Sequence, residues 1–587
     1  MTGLHADYGR SNIVRAPTIA ADPALMLLHF EQADGIDEVR TLSDDFGAAT
    51  PDIVEAVVDQ AIRFSTDYLD PLNDEGDRTG SRLVDGRVKT CAGHREAWSA
   101  YAEQGWGTID QPTSWGGQGL PRSLSAMVQE ICDRSCPGFG MLPVPQRSAA
   151  RLIASWGDEA MKEEWLPRLV ANSWGATICI SEPDAGSDVA RIRTTATPAE
   201  DGSWRISGEK CWITFGDHDL TPRIGHCLLA RTPGAQGLSL FLVPNCHEDG
   251  TANGVIVRRV EEKMGLHISP TCVLGFEEAQ GRLIGEEGRG LAQMFVMITN
   301  MRLATGVQGL ASAGAAFDMA LRYAEERKQG GKAPQPVAIA THADVQRQLM
   351  ALAGPVESMR GLVLALANHA DIAAHAPDEA RRADAEALVQ WLLPIVKTKG
   401  GEIGFDVASG AMQVLGGAGY TREWPVEQYL RDVRVLTIFE GTTGMQAQDL
   451  VHRRLMRGDR RGLELFLTKA RAAAATAADA GADAAARGLG HCLDLVEDAV
   501  AWLDRHADSK TDIDAVATPF LRLASIAALG WAGARLAATP GDAPAARRVA
   551  AAGGSCAALS GAQALSAHAE VMAGAALIDG FAAVRPQ

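Results

Sequence analysis

Apolar residues recur every three or four positions along most of the 587-residue chain, which is the period of an amphipathic helix. Alanine, the strongest helix former, is also frequent. The pattern predicts helices over residues 52–68, 124–133, 148–156, 291–327, 343–373, 383–415 and 443–456, and a last helical section over 490–585. The chain is therefore predicted to be mainly α-helical.

Between residues 176 and 285 the pattern changes to short runs rich in β-branched and apolar residues. Glycine, proline and asparagine separate these runs at the spacing expected of a β-sandwich or β-barrel. The predicted strands are residues 176–180, 204–207, 211–214, 226–230 and 238–243. We therefore predict a β domain inserted between helical domains.

These changes of pattern divide the chain into five parts. They are an N-terminal extension (1–50), an N-terminal helical domain (51–175), a middle β domain (176–287), a C-terminal helical bundle (288–460) and an additional C-terminal helical domain (470–587). A chain of this length is too long for a single hydrophobic core. The alanine-rich stretch 471–487 is interpreted as a domain junction, although a surface helix has the same composition.

Charge narrows the possible partners. The formal net charge of −18 disfavours binding to nucleic acid or to an anionic membrane, because both carry negative charge. A local cluster of arginines can still bind a small anionic ligand. The longest apolar run near the C-terminus, residues 523–534, falls short of the roughly 20 residues that a membrane helix needs. We expect a cytoplasmic protein that contacts neither nucleic acid nor membrane.

The ten cysteines give no sign of a metal site. They include no Cys-x-x-Cys pair, and Cys132 and Cys136 lack histidines at zinc-binding spacing. The N-terminus also lacks the basic and apolar segments of a secretory signal. We therefore expect reduced, buried thiols and no bound metal.

Two candidate sites lie in the predicted β domain. In residues 178–188 a strand ends at a proline turn, and the small residues that follow expose N–H groups beside hydroxyls. This arrangement suits hydrogen bonding to a planar heterocycle and to a phosphate-bearing tail, although an ordinary loop has the same composition. In the strand 211–214, Trp212 and Thr214 share one face, which places an aromatic wall beside a hydroxyl. A tryptophan in the β core is the alternative.

A third candidate is Glu440, which follows the apolar, strand-like run 435–439 and precedes a glycine turn. Burial between Phe439 and Gly441 would raise the pKa of its carboxyl and make it a usable base near neutral pH. Thr442 or Thr443 can cap the next helix. The alternative is a first-turn acid that interacts with the helix dipole.

Glycines at 416, 417 and 419 allow the backbone to approach a pyrophosphate closely. They do not follow a strand in a βαβ unit, so the Rossmann interpretation fails. A helix C-terminal cap is the alternative for these glycines.

Together, these motifs and the alternation of helical and β domains resemble the acyl-CoA dehydrogenase family over residues 50–455. The run 213–220 and the extra C-terminal helices resemble the larger branch of that family, which includes 3-methylmercaptopropionyl-CoA dehydrogenase. The resemblance implies a helical N-terminal domain, a middle β-barrel or sandwich, a C-terminal four-helix bundle and an additional helical domain.

The resemblance also implies an activity. Glu440 would remove the α proton of an acyl-CoA while the β hydrogen leaves as hydride to FAD, giving the trans-2-enoyl-CoA. The Glu440 backbone N–H and a flavin hydroxyl would stabilise the developing thioester oxyanion. Electrons would then pass to electron-transferring flavoprotein. The extra helices would cover the face that smaller members use to form tetramers, so a homodimer is expected.

The family pattern assigns further residues by position. Expected FAD contacts are Ile178, Ile180, Ser181, Trp212, Thr214, Arg327, Gln413, Gly417 and Thr442, of which Arg327, Gln413 and Gly417 act across a subunit interface. Expected substrate contacts are Ser187, Arg302, Phe439 and Gly441, with Met141, Leu142 and Phe295 lining the acyl pocket. The chain departs from the family at residues 329–334, where an aromatic contact is missing, and at Gly444, where many members have glutamine.

Two other functions stay open. An acyl-CoA oxidase has the same fold and base but is reoxidised by dioxygen. A non-catalytic or DNA-associated flavoprotein would need a basic C-terminal surface, and residues 460–587 contain no dense basic run.

Overall fold

The computed structural model describes residues 15–585. Its N-terminal part is helical apart from one small hairpin. The elements are α1 (Pro23–Glu31), α2 (Ile36–Arg40), α3 (Asp44–Gly47), α4 (Pro51–Phe64), α5 (Asp70–Thr79), β1 (Arg82–Val84), β2 (Arg87–Lys89), α6 (His94–Glu103), α7 (Arg122–Ser135), α8 (Pro137–Gly140), α9 (Pro143–Trp156) and α10 (Glu159–Val170). The described part of the N-terminal extension, residues 15–50, thus contains α1 to α3, and His29 of α1 bonds to Glu357 of the later bundle at 2.9 Å.

The middle domain is a strongly curved sheet. Its strands are β3 (Gly175–Cys179), β4 (Thr195–Pro198), β5 (Trp204–Thr214), β6 (Ile224–Arg231), β7 (Leu238–Pro244), β8 (Val255–Val260) and β9 (Thr271–Ile284). The order β6-β4-β5-β9-β7 closes into a barrel because β7 also pairs with β6. β3 extends the sheet parallel to β6, and β8 pairs with β9. The two runs predicted at 204–207 and 211–214 belong to the single strand β5.

The third region is a helical bundle. It is built from α11 (Gly290–Glu326), α12 (Ala343–His375), α13 (Glu379–Leu415), α14 (Val426–Val433) and α15 (Thr443–Gln448). α15 continues as a π-helix over Asp449–Met456. α11 and α13 run parallel with their backbones in contact. A Cβ at Gly309 would lie 2.0 Å from the Gly400 carbonyl oxygen, so only glycine permits this approach. The contact places Arg302 of α11 and Lys397 of α13 in the same part of the bundle.

The additional C-terminal helices are α16 (Arg461–Asp479), α17 (Asp483–Arg505), α18 (Lys510–Ala537), α19 (Pro544–Ala573) and α20 (Phe581–Val584). Residues 471–487, interpreted as a domain junction with a surface helix as the alternative, form the end of α16 and the start of α17 and are mostly exposed, as the alternative describes. The helices also share one hydrophobic core with the bundle. Trp391 of α13 packs against Phe466 and Phe520, with ring centroids 6.4 and 6.5 Å apart.

Within residues 15–585, α12 and α18 are long and apolar enough to cross a membrane by length and composition alone. However, 78% and 72% of their most apolar stretches are buried inside the protein. Core helices of a globular protein show the same property.

The fold class predicted from the sequence is confirmed: the protein is mainly α-helical with an inserted β domain, and it carries extra C-terminal helices. The helical bundle and the barrel together determine where the candidate site residues lie.

Candidate active site

Glu440 lies in a turn between the bundle's last two short helices. The prediction of a strand over 435–439 is wrong, because Arg434–Thr437 form a 3-10 helix instead. Val435 and Phe439 pack on one hydrophobic cluster of the N-terminal region, and their spacing of four fits a helical turn rather than a strand. Glu440 itself has a φ of 54°, and Gly441 has a φ of 89°. Glu440 therefore occupies a conformation that is costly for a residue with a side chain.

Two buried side chains hold this turn through its carbonyl groups. Gln446 donates from Nε2 to the carbonyl oxygen of Glu440 at 3.0 Å. Lys397 donates from Nζ to the carbonyl oxygen of Gly441 at 2.7 Å. Thr442 is the N-cap of α15 and accepts from the N–H of Met445 at 3.4 Å. The turn is thus fixed from both sides by contacts that do not use the Glu440 carboxylate.

The electrostatics of the turn favour a reactive carboxylate. Burial raises the pKa of Glu440 above its usual value, while the charges of Arg302 and Lys397 oppose that rise. Both cations direct their hydrogen bonds elsewhere: Arg302 to Asp449 at 3.1 Å, and Lys397 to the Gly441 carbonyl. The Glu440 side chain is also partly accessible. Its oxygens are therefore free to accept a proton.

Neither Lys397 nor Gln446 was singled out from the sequence. Lys397 follows the apolar run 391–396 on α13 and is fully buried. A lysine that ends an apolar run inside a predicted core helix is a signal that would have identified it, because lysine is almost never fully buried without a partner. Gln446 carries no comparable signal.

A second group of predicted residues lies on the middle domain. The N–H of Cys211 in β5 donates to the Ser181 carbonyl oxygen at 2.9 Å, which joins β5 to the loop after β3. Trp212 therefore lies beside Ser181, and its side chain is 60% exposed. The alternative of a tryptophan in the β core is excluded. Ile178 and Ile180 are half-buried near the N-terminal half of α11, in a cluster that includes Met301.

The strand geometry at Trp212 differs from the prediction. The register shows a bulge between Lys210 and Ile213, so regular alternation of faces is interrupted there. Trp212 has a φ of 63°, which is unusual for a bulky residue. The bulge turns the indole out of the barrel, and half-buried Thr214 follows it.

A buried ion pair that was not predicted from the sequence supports this edge of the middle domain. Lys210 donates to Glu182 at 2.8 Å and to the Ile180 carbonyl oxygen at 3.0 Å. Glu182 also accepts from the N–H of Arg193 and the hydroxyl of Thr194, both at 2.6 Å. These bonds shape the loop after β3, on which Ser187 is exposed to solvent.

The predicted substrate contacts Phe439, Gly441 and Arg302 lie beside Glu440. Gly441 is next to the Arg302 guanidinium, 3.8 Å from where a Cβ would be. Phe439 packs in the cluster that contains Met141 and Leu142. Phe295 lies 6.0 Å from the Arg302 guanidinium, measured to the ring centroid. Because Arg302 is paired with Asp449, its role toward coenzyme A stays a prediction.

Three of the predicted FAD contacts do not lie near the Glu440 turn. They are Arg327, Gln413 and Gly417. Arg327 lies just beyond the C-terminal end of α11, Gln413 is in the last turn of α13, and Gly417 is in the 3-10 helix Gly416–Tyr420 that follows it. Sixteen residues separate Lys397 from Gln413 along α13, a distance of about 24 Å at the helical rise. All three side-chain positions are exposed. Within one chain they form a separate group at the far end of the bundle.

Comparison with known proteins identifies the family. The N-terminal domain of acyl-CoA dehydrogenases matches residues 52–173, the middle domain 177–279 and the C-terminal domain 288–456. The chain is also 37% identical over 529 residues to 3-methylmercaptopropionyl-CoA dehydrogenase of Ruegeria pomeroyi, covering 86% of this chain and 87% of that protein. The chain belongs to the acyl-CoA dehydrogenase family.

Solved acyl-CoA dehydrogenase structures share the larger fold. Caenorhabditis elegans ACDH-11 in complex with C11-CoA has a TM-score of 0.76 at 20% identity and covers 95% of each chain. Acyl-CoA dehydrogenase from Bacillus anthracis, solved with FAD, has a TM-score of 0.71 at 20% identity, covering 95% of this chain and 92% of that one. Coverage of that extent includes the additional C-terminal helices. This acyl-CoA dehydrogenase therefore has a fold in which those helices are an integral part.

Proposed function

We propose that this enzyme uses FAD to oxidise the Cα–Cβ bond of an acyl-CoA thioester to the trans-2-enoyl-CoA, with Glu440 as the base. The observation that carries the proposal is the state of the Glu440 carboxylate. Burial raises its pKa, two cations are close, and both give their hydrogen bonds to other groups. A carboxylate with a raised pKa and unbonded oxygens has the properties of a general base.

The exposed edge of the middle domain fits a flavin. An indole that is 60% exposed on a residue with φ of 63° is a costly arrangement unless a ligand covers it. Ile178, Ile180, Ser181, Trp212 and Thr214 would hold the ring system, and Thr442 the pyrophosphate. The Bacillus anthracis relative was solved with FAD, which supports this choice. Bound FAD supplies the hydride acceptor that no side chain can provide.

The chain's own groups account for the proton-transfer step. A proton α to a thioester is too weakly acidic for a carboxylate to remove unless the carbonyl oxygen is stabilised. Within residues 15–585 the N–H of Glu440 donates to no protein acceptor, so it is available to the substrate carbonyl. One residue thus supplies both the base and an oxyanion donor, which fixes their relative positions.

A homodimer forms part of the proposal. Arg327, Gln413 and Gly417 match family positions that contact FAD, yet within one chain Gln413 lies about 24 Å by helical rise from Lys397, which contacts the Glu440 turn. A second copy can bring its own set to the first copy's flavin. Tyr420, beside Gly417, is 86% exposed, as an interface residue would be in the isolated chain. Light scattering on the FAD-loaded protein is expected to give a dimer mass, and a tetramer would contradict it.

Electron-transferring flavoprotein is the proposed acceptor. Similarity to one solved structure supports this choice. That structure, "Electron transferring flavoprotein of Acidaminococcus fermentans: Towards a mechanism of flavin-based electron bifurcation", has a TM-score of 0.58 at 25% identity. The alignment covers 69% of this chain and 98% of that chain. The competing acyl-CoA oxidase differs only in the acceptor. Turnover with electron-transferring flavoprotein or a dye, without stoichiometric peroxide, is expected. Peroxide formed at the rate of substrate oxidation would favour the oxidase.

The decisive experiment compares the wild-type protein with Glu440→Gln. Each is loaded with FAD and mixed anaerobically with acyl-CoA thioesters that range from a short thioether acyl group to medium and long fatty chains. The wild type is expected to lose its flavin absorbance with at least one of them. Because general-base catalysis contributes about 10²–10⁴-fold, the variant is expected to retain FAD and lose at least that much of the bleaching rate.

Glu464→Gln is the matched control, because Glu464 is an exposed glutamate on α16. This substitution is expected to leave bleaching unchanged. Rapid bleaching of Glu440→Gln would remove Glu440 from the mechanism, and failure of the wild type to bind FAD would refute the proposed function as a whole.

A further inference from the structure

Lys397 is a fully buried lysine on α13 that the reaction described above does not use. Its Nζ is 2.7 Å from the Gly441 carbonyl oxygen and 6.0 Å from the centroid of the Phe439 ring. Both contacts lie within one residue of Glu440 in the sequence. The ammonium group is thus placed against the catalytic turn and makes no ion pair with its carboxylate.

This placement is not what packing alone would select. Burying an ammonium group costs free energy that a single neutral carbonyl offsets only in part. A methionine would fill a similar volume without that cost, and a glutamine would supply a neutral donor. Retaining a charge here therefore calls for a function that needs the charge.

The charged groups around Lys397 come from three further elements. The turn contributes Glu440, and α11 contributes Arg302, which is paired with Asp449 of the π-helical segment. Asp449 also lies 3.6 Å from Arg453 and from Arg454, so its charge is shared among arginines. Among these cations, Lys397 donates its hydrogen bond to the turn that carries Glu440.

We propose that Lys397 is a positioning residue for proton abstraction: its ammonium group holds the Gly441 carbonyl, which aims the Glu440 carboxylate, and its positive charge lies beside that carboxylate and attracts it. This inference rests on the proposed role of Glu440 as base. Bonding to the carbonyl rather than to the carboxylate leaves the base's oxygens free. The charge still acts across the short distance, because electrostatic attraction is weakly screened in a buried site.

The expected pH dependence follows from the sign of each effect. Burial raises the pKa of Glu440, and the positive charge of Lys397 works against that rise. Removing the charge therefore moves the Glu440 pKa further upward, and the acid limb of the rate profile moves with it. Burial lowers the pKa of Lys397 to about 8, while Glu440 raises it and Arg302 lowers it. Loss of that proton removes the positive charge but not the hydrogen bond, because the neutral amine can still donate to Gly441.

Two substitutions separate the charge from the hydrogen bond. Lys397→Met removes both, whereas Lys397→Gln removes the charge and keeps a donor. For both variants we expect FAD to be retained and the acid limb of the single-turnover bleaching rate to move up by at least about one pH unit, the low end of the effect of a nearby opposite charge. Below both midpoints this means a rate about tenfold lower. The acyl-CoA concentration for half-maximal rate should change little, since Lys397 is fully buried.

A second measurement does not depend on activity. Infrared difference titration of the Glu440 carboxyl, assigned by its absence in Glu440→Gln, is expected to show a higher midpoint in both Lys397 variants. Lys399→Met is the matched control: Lys399 lies on the same helix but pairs with Glu402 at 3.2 Å. It should shift neither readout.

The results distinguish the inference from the function on which it rests. If wild-type flavin is bleached by acyl-CoA but both Lys397 variants keep its pH profile and carboxyl midpoint, the role of Lys397 is refuted. If wild-type flavin is not bleached at all, the proposed function fails, while the infrared midpoints still report whether Lys397 tunes Glu440. If Lys397→Met is unstable, Lys397→Gln still allows the test, because it keeps a hydrogen-bond donor to the turn.

Discussion

Lys210 in the middle domain and Lys397 in the helical bundle are both fully buried lysines close to a glutamate. They differ in whether the lysine bonds to the carboxylate of that glutamate. Lys210 binds the Glu182 carboxylate directly at 2.8 Å. Lys397 binds a backbone carbonyl next to Glu440 and leaves the carboxylate unbonded. The first arrangement is a closed ion pair. The second is an open arrangement, in which a buried ammonium group lies beside a carboxylate without bonding to it.

The difference bears on which of the two glutamates has the properties of a general base. Burial raises the pKa of Glu182, but Lys210 and the hydroxyl of Thr194 outweigh burial and hold that pKa below its usual value. Its oxygens are already occupied by donors. For Glu440 burial prevails over Arg302 and Lys397, so its pKa is raised. A carboxylate whose pKa is raised by desolvation, and whose oxygens no cation occupies, meets the requirements of a general base.

The largest expected effect comes from breaking the closed pair. Lys210→Met leaves the Glu182 carboxylate buried without its cation, and loss of one member of a buried pair costs about 3–5 kcal/mol. We expect a marked fall in melting temperature and loss of FAD, since Lys210 also holds the Ile180 carbonyl beside the flavin-facing edge. Lys397→Met should lower the melting temperature less, because no carboxylate loses a direct partner. Equal melting temperatures for the two variants would break the comparison.

The next effect concerns the geometry of the open arrangement. Gly441 has a φ of 89°, and a Cβ there would lie 2.8 Å from Nε2 of Gln446. Gly441→Ala therefore strains the backbone by about 1–2 kcal/mol and displaces the side chain that holds the Glu440 carbonyl. We expect the flavin-bleaching rate to fall by at least about tenfold, which corresponds to 1.4 kcal/mol of barrier.

Gly444→Ala is the control for this variant. Gly444 is helical, and the nearest atom to a Cβ there is the Thr442 hydroxyl at 4.0 Å. Alanine is favoured over glycine in a helix, so stability and rate should be equal to or slightly above those of the wild type. A Gly441→Ala variant that bleaches as fast as Gly444→Ala would show that the turn tolerates movement.

A smaller expected effect is the pH dependence of stability, which has opposite signs at Glu182 and Glu440. The lowered pKa of Glu182 means that its ionised form stabilises the fold above pH 4.5, its ordinary pKa, and that this contribution is lost as pH falls further. The raised pKa of Glu440 means that ionisation there costs stability once the pH exceeds 4.5. Each unit of pKa shift corresponds to about 1.4 kcal/mol.

Melting temperatures measured from pH 4 to pH 8 test this contrast. At pH 7 Glu182→Gln should be less stable than the wild type, and Glu440→Gln should be more stable. Both differences should shrink toward pH 4. A destabilised Glu440→Gln at pH 7 would mean that Arg302 and Lys397 outweigh burial, and that Glu440 is not the raised-pKa group described above.

The sequence was sufficient for the fold wherever one periodicity persists. The helix predicted at 343–373 is observed as α12 (Ala343–His375), because its apolar residues repeat over many turns. β9 (Thr271–Ile284) was missed: it contains Gly275, Gly281 and adjacent glutamates, and its burial does not alternate regularly. The run 435–439 was mistaken for a strand because five consecutive residues are too few to separate the two periods.

For the site, local motifs were enough to propose Glu440 and Trp212, but not the buried lysines that contact the turn and loop beside them. Glu440 and Trp212 stand in recognisable local motifs, and the structure places both as exposed or partly exposed groups on separate elements. Lys397 is 43 positions away from Glu440 in the chain, and Lys210 is 28 positions from Glu182. Their contacts depend on how α13 packs on the turn and how β5 bulges beside the loop after β3. Local sequence patterns do not encode such long-range contacts.

The smallest expected effect separates two roles of Thr442. As the N-cap of α15 its hydroxyl accepts from Met445 at 3.4 Å, a long bond, so Thr442→Ala should cost about 0.5 kcal/mol, the low end for a cap. If the same hydroxyl also contacts the pyrophosphate of FAD, the alanine variant should in addition bind FAD more weakly, by severalfold, while Thr442→Ser restores both properties. Melting temperature without FAD measures the cap, and flavin titration measures the contact. Unchanged FAD affinity in Thr442→Ala would confine this residue to capping α15.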